Sequence, residues 1–122
     1  MSQKRKILLF DDEMDSLSKI YISLLLKDFV VEATTDPEEL AHRSRRFRPD
    51  LAIVNNEVPG FDGHEVCTLL KREMNKPIIL LAGAHDPITI NIDHCSADAI
   101  LTKPVHLPGL IDTIKQLLAT TP

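Results

Sequence analysis

Five short apolar runs recur along the chain, and each is separated from the next by a segment with helical spacing of its apolar residues. The runs cover residues 7–10, 29–31, 51–54, 77–81 and 99–101. They are continuous rather than alternating, a pattern that is typical of strands covered on both faces by helices. We therefore predict five short strands buried in one sheet.

The segments between the runs carry helix signals. Apolar residues at i, i+3 and i+4 spacing form two stripes, Leu17, Ile20, Tyr21, Leu24 and Leu25 in the first segment and Leu107, Leu110, Ile111, Ile114, Leu117 and Leu118 in the last. Residues 36–39 place a capping Asp36, a proline and a capping-box Glu39 at the start of the second helix. Residues 62–65, beginning with Asp62, give the third helix a similar start.

Strictly alternating strands and helices with short connections predict an α/β fold with right-handed crossovers. The order βαβαβαβαβα gives a doubly wound, mostly parallel sheet of five strands. With 122 residues and 43% apolar residues, the chain fits one compact domain over residues 1–122.

Charge and cysteine content narrow the class of protein. The formal net charge is −4, and the basic residues between Arg43 and Arg48 lie near a predicted helix end, where they complement its dipole. Nothing here favours nucleic-acid or membrane binding, and no apolar run approaches the roughly 20 residues that span a bilayer. Cys67 and Cys95 form no close pair, so we expect two small buried side chains in a soluble, cytoplasmic domain.

Candidate chemistry lies at the ends of three runs. Ligands of such sheets bind beyond the carboxyl ends of the strands, where the strand order reverses. The residues after the first, third and fifth runs are Asp11, Asp12 and Glu13, then Asn55, Asn56 and Glu57, then Thr102, Lys103 and Pro104. Carboxylates with oxygen ligands only are what a hard cation such as Mg²⁺ prefers, and a lysine suits a phosphoryl group.

Together these motifs resemble the receiver domain of two-component response regulators over essentially the full chain. The matching segments are 6–12, 48–63, 77–81 and 97–104. The resemblance implies a flavodoxin-like (βα)5 fold with strand order 2-1-3-4-5 and a third-strand aspartate that receives a phosphoryl group from a histidine kinase. It implies that Asp12 would bind Mg²⁺ directly, Asp11 through water and Glu57 through its backbone carbonyl. Lys103 matches the lysine that contacts the phosphoryl group.

Three positions depart from the family pattern. Asn55 stands where the family has the phosphoacceptor aspartate, and an amide is not a useful nucleophile. Ala82 replaces a hydroxyl that bonds the phosphoryl oxygen, and Ile100 replaces an aromatic side chain that moves with that hydroxyl. We therefore predict a pseudo-receiver, without phosphorylation or catalytic turnover, that signals by binding a partner protein.

The loss of one carboxylate also changes the expected metal site. We expect a structural contact from Lys103 to an aspartate in place of strong Mg²⁺ binding, so no cofactor is expected, although weak Mg²⁺ binding is compatible with the sequence. One alternative is a phosphorylatable, Mg²⁺-dependent receiver in which the aspartate was mutated to Asn55. Another, of a different class, is a small flavodoxin-like ligand-binding or phosphatase domain, although no glycine-rich phosphate loop is present.

The region between the fourth and fifth runs has an unusual pattern. Residues 88–93 alternate apolar and polar with several β-branched side chains, so we expect the fourth helix to be short or distorted. In the family, that helix, the fifth strand and the fifth helix form the contact face. We predict that a histidine kinase or an output protein binds there, and a homodimer through the same face is compatible with the sequence.

Overall fold

The computed structural model describes residues 4–56, 62–83 and 96–120. Its strands are β1 (Lys6–Phe10), β2 (Val30–Thr34), β3 (Leu51–Asn55), β4 (Ile78–Ala82) and β5 (Ala99–Thr102). Its helices are α1 (Met14–Leu26), α2 (Leu40–Phe47, preceded by a 3-10 turn, Pro37–Glu39), α3 (Gly63–Met74) and α4 (Leu107–Thr120). The helix α4 is the one that the sequence predicts as the fifth.

Within these residues the strands form one parallel sheet with the order β2-β1-β3-β4-β5. The α/β class, the five strands and the order 2-1-3-4-5 predicted from the sequence are confirmed. The chain order reverses between β1 and β3, which pair from Ile7 with Leu51 to Phe10 with Val54. The carboxyl ends of β1 and β3 therefore meet at the point where such folds hold their ligands.

Successive side chains of the central strands serve two separate cores. Ile7, Leu9 and Ile53 pack in the cluster that also contains the buried faces of α1 and α4. Leu8 and Phe10 pack in the second cluster, with the buried residues of α2 and α3. This division follows from the period of two along a strand. The helices therefore form one layer on each face of the sheet.

The prediction that all five strands are covered on both faces is wrong for the two edges. Strands β1, β3 and β4 are buried along almost their whole length, whereas β2 and β5 are mostly half-exposed. An edge strand has a neighbour on one side only, and its side chains receive less cover. Leu25 of the predicted α1 stripe is likewise 43% exposed, since α1 packs against one layer through Leu17, Ile20 and Leu24.

Local signals set the element boundaries. The prediction that β2 begins at Phe29 is wrong, because Asp28 has φ 67° and the Phe29 N–H donates to the Leu24 carbonyl, so the chain is still turning there. Asp36 caps the 3-10 turn by accepting from the Glu38 N–H at 2.9 Å. Asp62 caps α3, accepting from the His64 N–H at 3.0 Å. Both predicted caps are confirmed.

Some predictions fall on residues outside the described ranges, namely the fourth predicted helix, Glu57 and Cys95. Cys67 is fully buried on α3, as predicted. Across the described residues, no helix combines the length and apolar character that crossing a membrane requires.

Candidate functional site

The carboxyl edge of the sheet brings together three residues that are far apart in the chain. Asp11 directly follows β1, Asn55 ends β3, and Lys103 directly follows β5. Asp11 is 0% exposed and Asn55 is 1% exposed, so both polar groups are removed from water. A buried carboxylate is costly unless donors satisfy it, so the surrounding bonds decide what the site can do.

Asn55 donates to both aspartates of the site. Its Nδ2 lies 3.0 Å from Asp11 Oδ1 and 3.3 Å from Asp12 Oδ1. Ionised carboxylates only accept hydrogen bonds, so the amide must turn its NH₂ group, not its oxygen, toward them. The position where the family has a nucleophilic oxygen therefore presents a hydrogen-bond donor to the pocket.

Lys103 supplies the positive charge of the site. Its Nζ lies 3.3 Å from Asp11 Oδ2, and the lysine side chain is only 14% exposed. The Lys103 N–H donates to the Ala82 carbonyl at 2.8 Å, which ties the backbone to the end of β4. The Lys103–Pro104 peptide bond is cis. The contact between Lys103 and an aspartate that the sequence predicts is therefore present.

Asp11 receives a third donor from the start of α1. The Glu13 N–H lies 3.0 Å from Asp11 Oδ1, and Glu13 precedes the first residue of the helix. The positive end of the helix dipole also favours an anion in this place. Both oxygens of the buried carboxylate are thus bonded, one by two N–H donors and the other by the ammonium group.

The two further positions that depart from the family pattern lie on β4 and β5. Ala82 ends β4 and is 5% exposed, and its methyl group offers no hydrogen bond toward the pocket. Ile100 is partly buried on β5 and packs against the core that contains Leu8 and Phe10. Its side chain is an aliphatic part of that core.

The donor set bears directly on metal binding. Among the described residues, no group of three or more His, Cys, Asp or Glu side chains is arranged to hold a metal ion. In the described part of the chain the pocket offers two carboxylates, and the oxygens of Asp11 already accept bonds from Asn55, Glu13 and Lys103. A divalent cation would have to displace these donors to reach that carboxylate.

Asn56 holds the β3–α3 connection in a way that the sequence analysis missed. Its Oδ1 accepts from the Gly63 N–H at 2.9 Å, and its own N–H donates to the Leu81 carbonyl at 2.8 Å. A Cβ atom at position 63 would collide with Asn56 Oδ1, so the close approach requires glycine. In the sequence, Gly63 directly after the capping Asp62 was the one indication of this close approach.

A second charged cluster lies on β2 and α2. Arg43 Nη2 is 2.8 Å from Glu39 Oε2, and its Nη1 is 3.0 Å from Glu32 Oε1. Thr34 Oγ1 donates to Glu39 at 3.2 Å. Glu39 therefore binds Arg43 and Thr34 with the side chain that we predicted for a capping box. The hydrogen bond and charge of Arg43 lower the pKa of Glu39, and the same hydrogen bond raises the pKa of Arg43.

Comparison with known proteins agrees with the fold. Residues 7–115 match the model of the response regulator receiver domain, which is most of the chain. The chain belongs to this family. It is 28% identical over 114 residues to the sensory transduction protein BceR of Halalkalibacterium halodurans, covering 93% of the chain and 49% of that protein. It is 32% identical over 101 residues to the transcriptional regulatory protein AfsQ1 of Streptomyces coelicolor, covering 82% and 45%.

Solved receiver structures have the same fold. A two-component response regulator from Clostridium difficile superposes with a TM-score of 0.87 at 22% identity, covering 96% of this chain and 98% of that one. The signal receiver domain from Bermanella marisrubri gives 0.83 at 22% identity, covering 95% and 99%. This receiver domain spans about half the length of the curated relatives that it matches.

Proposed function

We propose that this receiver domain of a two-component system accepts no phosphoryl group and signals by binding a partner protein through a fixed surface. The observation that carries the proposal is the pair of hydrogen bonds from Asn55 Nδ2 to Asp11 and Asp12. The group facing the pocket is an NH₂ donor, which has no lone pair available for attack on phosphorus. The domain therefore has no catalytic turnover.

The same contacts support an organisation of the pocket without a metal ion. Lys103 neutralises Asp11, and the amide of Asn55 lies between the two aspartates in place of a further negative charge. A hard cation is held mainly by the number of carboxylates around it. We infer that Mg²⁺ binds weakly here and that the domain needs no cofactor.

The side chains that respond to phosphorylation in the family are also replaced. Ala82 carries no hydroxyl to bond a phosphoryl oxygen, and Ile100 packs as an aliphatic core residue rather than as a mobile aromatic ring. These two positions support natural loss of the switch, because a single change at Asn55 would leave them unexplained.

The proposed partner is a histidine kinase or an output protein of the pathway. The contact face we propose combines β5, α4 and the helix predicted between β4 and β5. The relatives BceR and AfsQ1 are named as a sensory transduction protein and a transcriptional regulatory protein, which supports a role in signalling. We assign no nucleic-acid or membrane binding to this domain.

Phosphorylation with a small donor tests the proposal. The protein is incubated with acetyl phosphate and Mg²⁺ and analysed by intact mass, and we expect no phosphoryl adduct. Asn55→Asp restores the nucleophile and serves as the positive control. We expect an adduct on that variant, with little change in the backbone spectrum of β4 and β5, since Ala82 and Ile100 remain. An adduct on the unsubstituted chain would overturn the proposal.

Calorimetric titration with Mg²⁺ tests the metal-free pocket separately. We expect no binding in the micromolar range for the unsubstituted chain and clearly tighter binding for Asn55→Asp. Micromolar binding by the unsubstituted chain would contradict our interpretation of Lys103 as the counter-ion.

A further inference from the structure

A groove runs between α1 and α4, on the side of the domain. It consists of two adjoining cavities that share Lys27 and Lys115. The first has a volume of about 300 Å³ and the second of about 430 Å³. Cavities of this size are typical of sites for small organic molecules. The groove ends at the amino edge of the sheet, near Lys4 and Arg5, and so lies away from Asn55 and the pocket described above.

The end of the groove at the amino edge, which we call the basic end, is strongly cationic. Of the residues that the structure describes, four cations line it, Lys4, Arg5, Lys27 and Lys115, against the single carboxylate of Asp28. Arg5 reaches Asp50 only at 4.0 Å. The three lysines have no ion-pair partner among the described residues. This concentration of unpaired positive charge occurs on a chain whose net charge is −4.

The ends of two helices account for only part of this charge. Helices α1 and α4 both end near the cavity, and a helix C-terminus carries roughly half a negative charge. Lys27 and Lys115 would offset these two ends. After the helix ends and Asp28 are counted, an excess of about two positive charges remains, and Asp50 offsets part of it through its 4.0 Å contact with Arg5. A ligand with between one and two negative charges matches that excess.

The other half of the groove is apolar. Leu26, Leu107, Pro108 and Ile111 line it, and Leu26 is 78% exposed. Asp112 lies in this half and disfavours an anion there. The groove therefore fixes the orientation of a bound amphiphile, with its apolar body against these side chains and its charged head at the basic end.

We propose that this groove binds a soluble organic phosphate monoester. Such a head group carries close to two negative charges at neutral pH and offers several acceptor oxygens to lysine and arginine. The site is independent of phosphorylation, because the basic end lies at the opposite edge of the sheet from Asn55. Helix α4 contributes both to this groove and to the proposed partner face.

Hexyl phosphate titrated into isotope-labelled full-length protein tests the site by amide chemical shifts. We expect shifts at residues 27–29 and 115–119. Lys27→Gln and Lys115→Gln should each weaken binding about threefold to fivefold, as loss of one exposed charge contact implies. Arg46→Gln is the matched control, since Arg46 is exposed on α2, across the sheet. Equal weakening by Arg46→Gln would overturn the proposal.

Three further ligands test the chemistry of the head and the body. Inorganic phosphate lacks the body, hexanol lacks the head, and hexyl sulfate has a single negative charge. We expect each to bind several-fold more weakly than hexyl phosphate. Equal binding by hexyl sulfate would overturn the dianion assignment. If the protein bound phosphatidic acid vesicles but showed no shifts with hexyl phosphate, the proposal that the ligand is soluble would be overturned.

Discussion

Two charged clusters in this domain are built from the same kinds of groups. Each contains two carboxylates, one cation and one neutral polar side chain. The members are Asp11, Asp12, Lys103 and Asn55 at the carboxyl edge, and Glu32, Glu39, Arg43 and Thr34 on β2 and α2. The clusters differ in one carboxylate: the side chain of Asp11 is 0% exposed, whereas Asp12 is exposed and the side chains of Glu32 and Glu39 are 35% and 46% exposed.

The comparison shows that a buried carboxylate needs more hydrogen-bond donors from the protein than an exposed one. At the surface, one arginine can bridge Glu32 and Glu39, and water satisfies the remaining lone pairs. The Asp11 side chain has no exposed surface, and it takes bonds from an amide, a backbone N–H and an ammonium group. Asn55 therefore has a structural role, since it donates a hydrogen bond to a carboxylate that is removed from water.

Replacing Asn55 by aspartate should have the largest effect. Asn55→Asp exchanges a donor for a carboxylate at a position that is 1% exposed, next to the buried Asp11 and the exposed Asp12. We expect a loss of about 3 kcal/mol in the free energy of unfolding without divalent ions. Millimolar Mg²⁺ should restore much of it, because three carboxylates suit a hard cation. Urea denaturation with and without Mg²⁺ measures both effects.

Asn56→Asp is the matched control for that experiment. Asn56 is half-buried, and an aspartate keeps the oxygen that accepts from the Gly63 N–H. Asn56→Asp, the same chemical change one residue away, should therefore lower the free energy of unfolding only slightly, and Mg²⁺ should not alter its stability. If both variants lost equal stability, the cost would not come from crowding of carboxylates in the pocket.

Removing the pocket cation should have the next largest effect. Lys103→Met keeps the length of the side chain and leaves Asp11 buried without its counter-ion, which we expect to cost about 2 kcal/mol. Lys71→Met is the comparison, because Lys71 and Asp98 form a shorter bridge at 2.7 Å with side chains 33% and 34% exposed. There we expect about 0.5 kcal/mol. A larger loss of stability for Lys71→Met than for Lys103→Met would contradict the view that burial, rather than the N–O distance, determines how much an ion pair stabilises the fold.

The sequence predicted the sheet and the convergence of the pocket residues well. Continuous apolar runs predicted the strands whose carboxyl ends carry Asp11, Asn55 and Lys103, and the family resemblance supplied the strand order that brings these ends together. The exposure of β2 and β5 was missed, because which strands lie at the edges is a property of the tertiary arrangement. Leu25 was misassigned for the same reason, since its stripe is wider than the layer that covers it.

Contacts that depend on loop geometry were not predictable from spacing. The bond from the Glu13 N–H to Asp11 and the bond from Gly63 to Asn56 arise where the chain turns from strand to helix. The Glu39 side chain could form either a capping box or an ion pair with Arg43, which lies one turn later in the chain. In the structure it forms the ion pair. The pseudo-receiver assignment stays a prediction until phosphorylation is measured.

The exposed cluster should give the smallest effect, and one that depends on pH. Arg43 lowers the pKa of Glu39, so its contribution to stability is complete above the ordinary carboxyl pKa and is lost as the pH falls through the lowered value. In Arg43→Met, the pKa of Glu39 should rise toward its ordinary range, measured by carboxyl NMR titration. The stability gap to the unsubstituted protein should then narrow in acid. Arg46→Met is the control and should leave the Glu39 titration unchanged. A gap that stayed unchanged in acid would mean that Arg43 stabilises α2 by packing of its side chain rather than by charge, and the contrast between the clusters would then rest on burial of Asp11 alone.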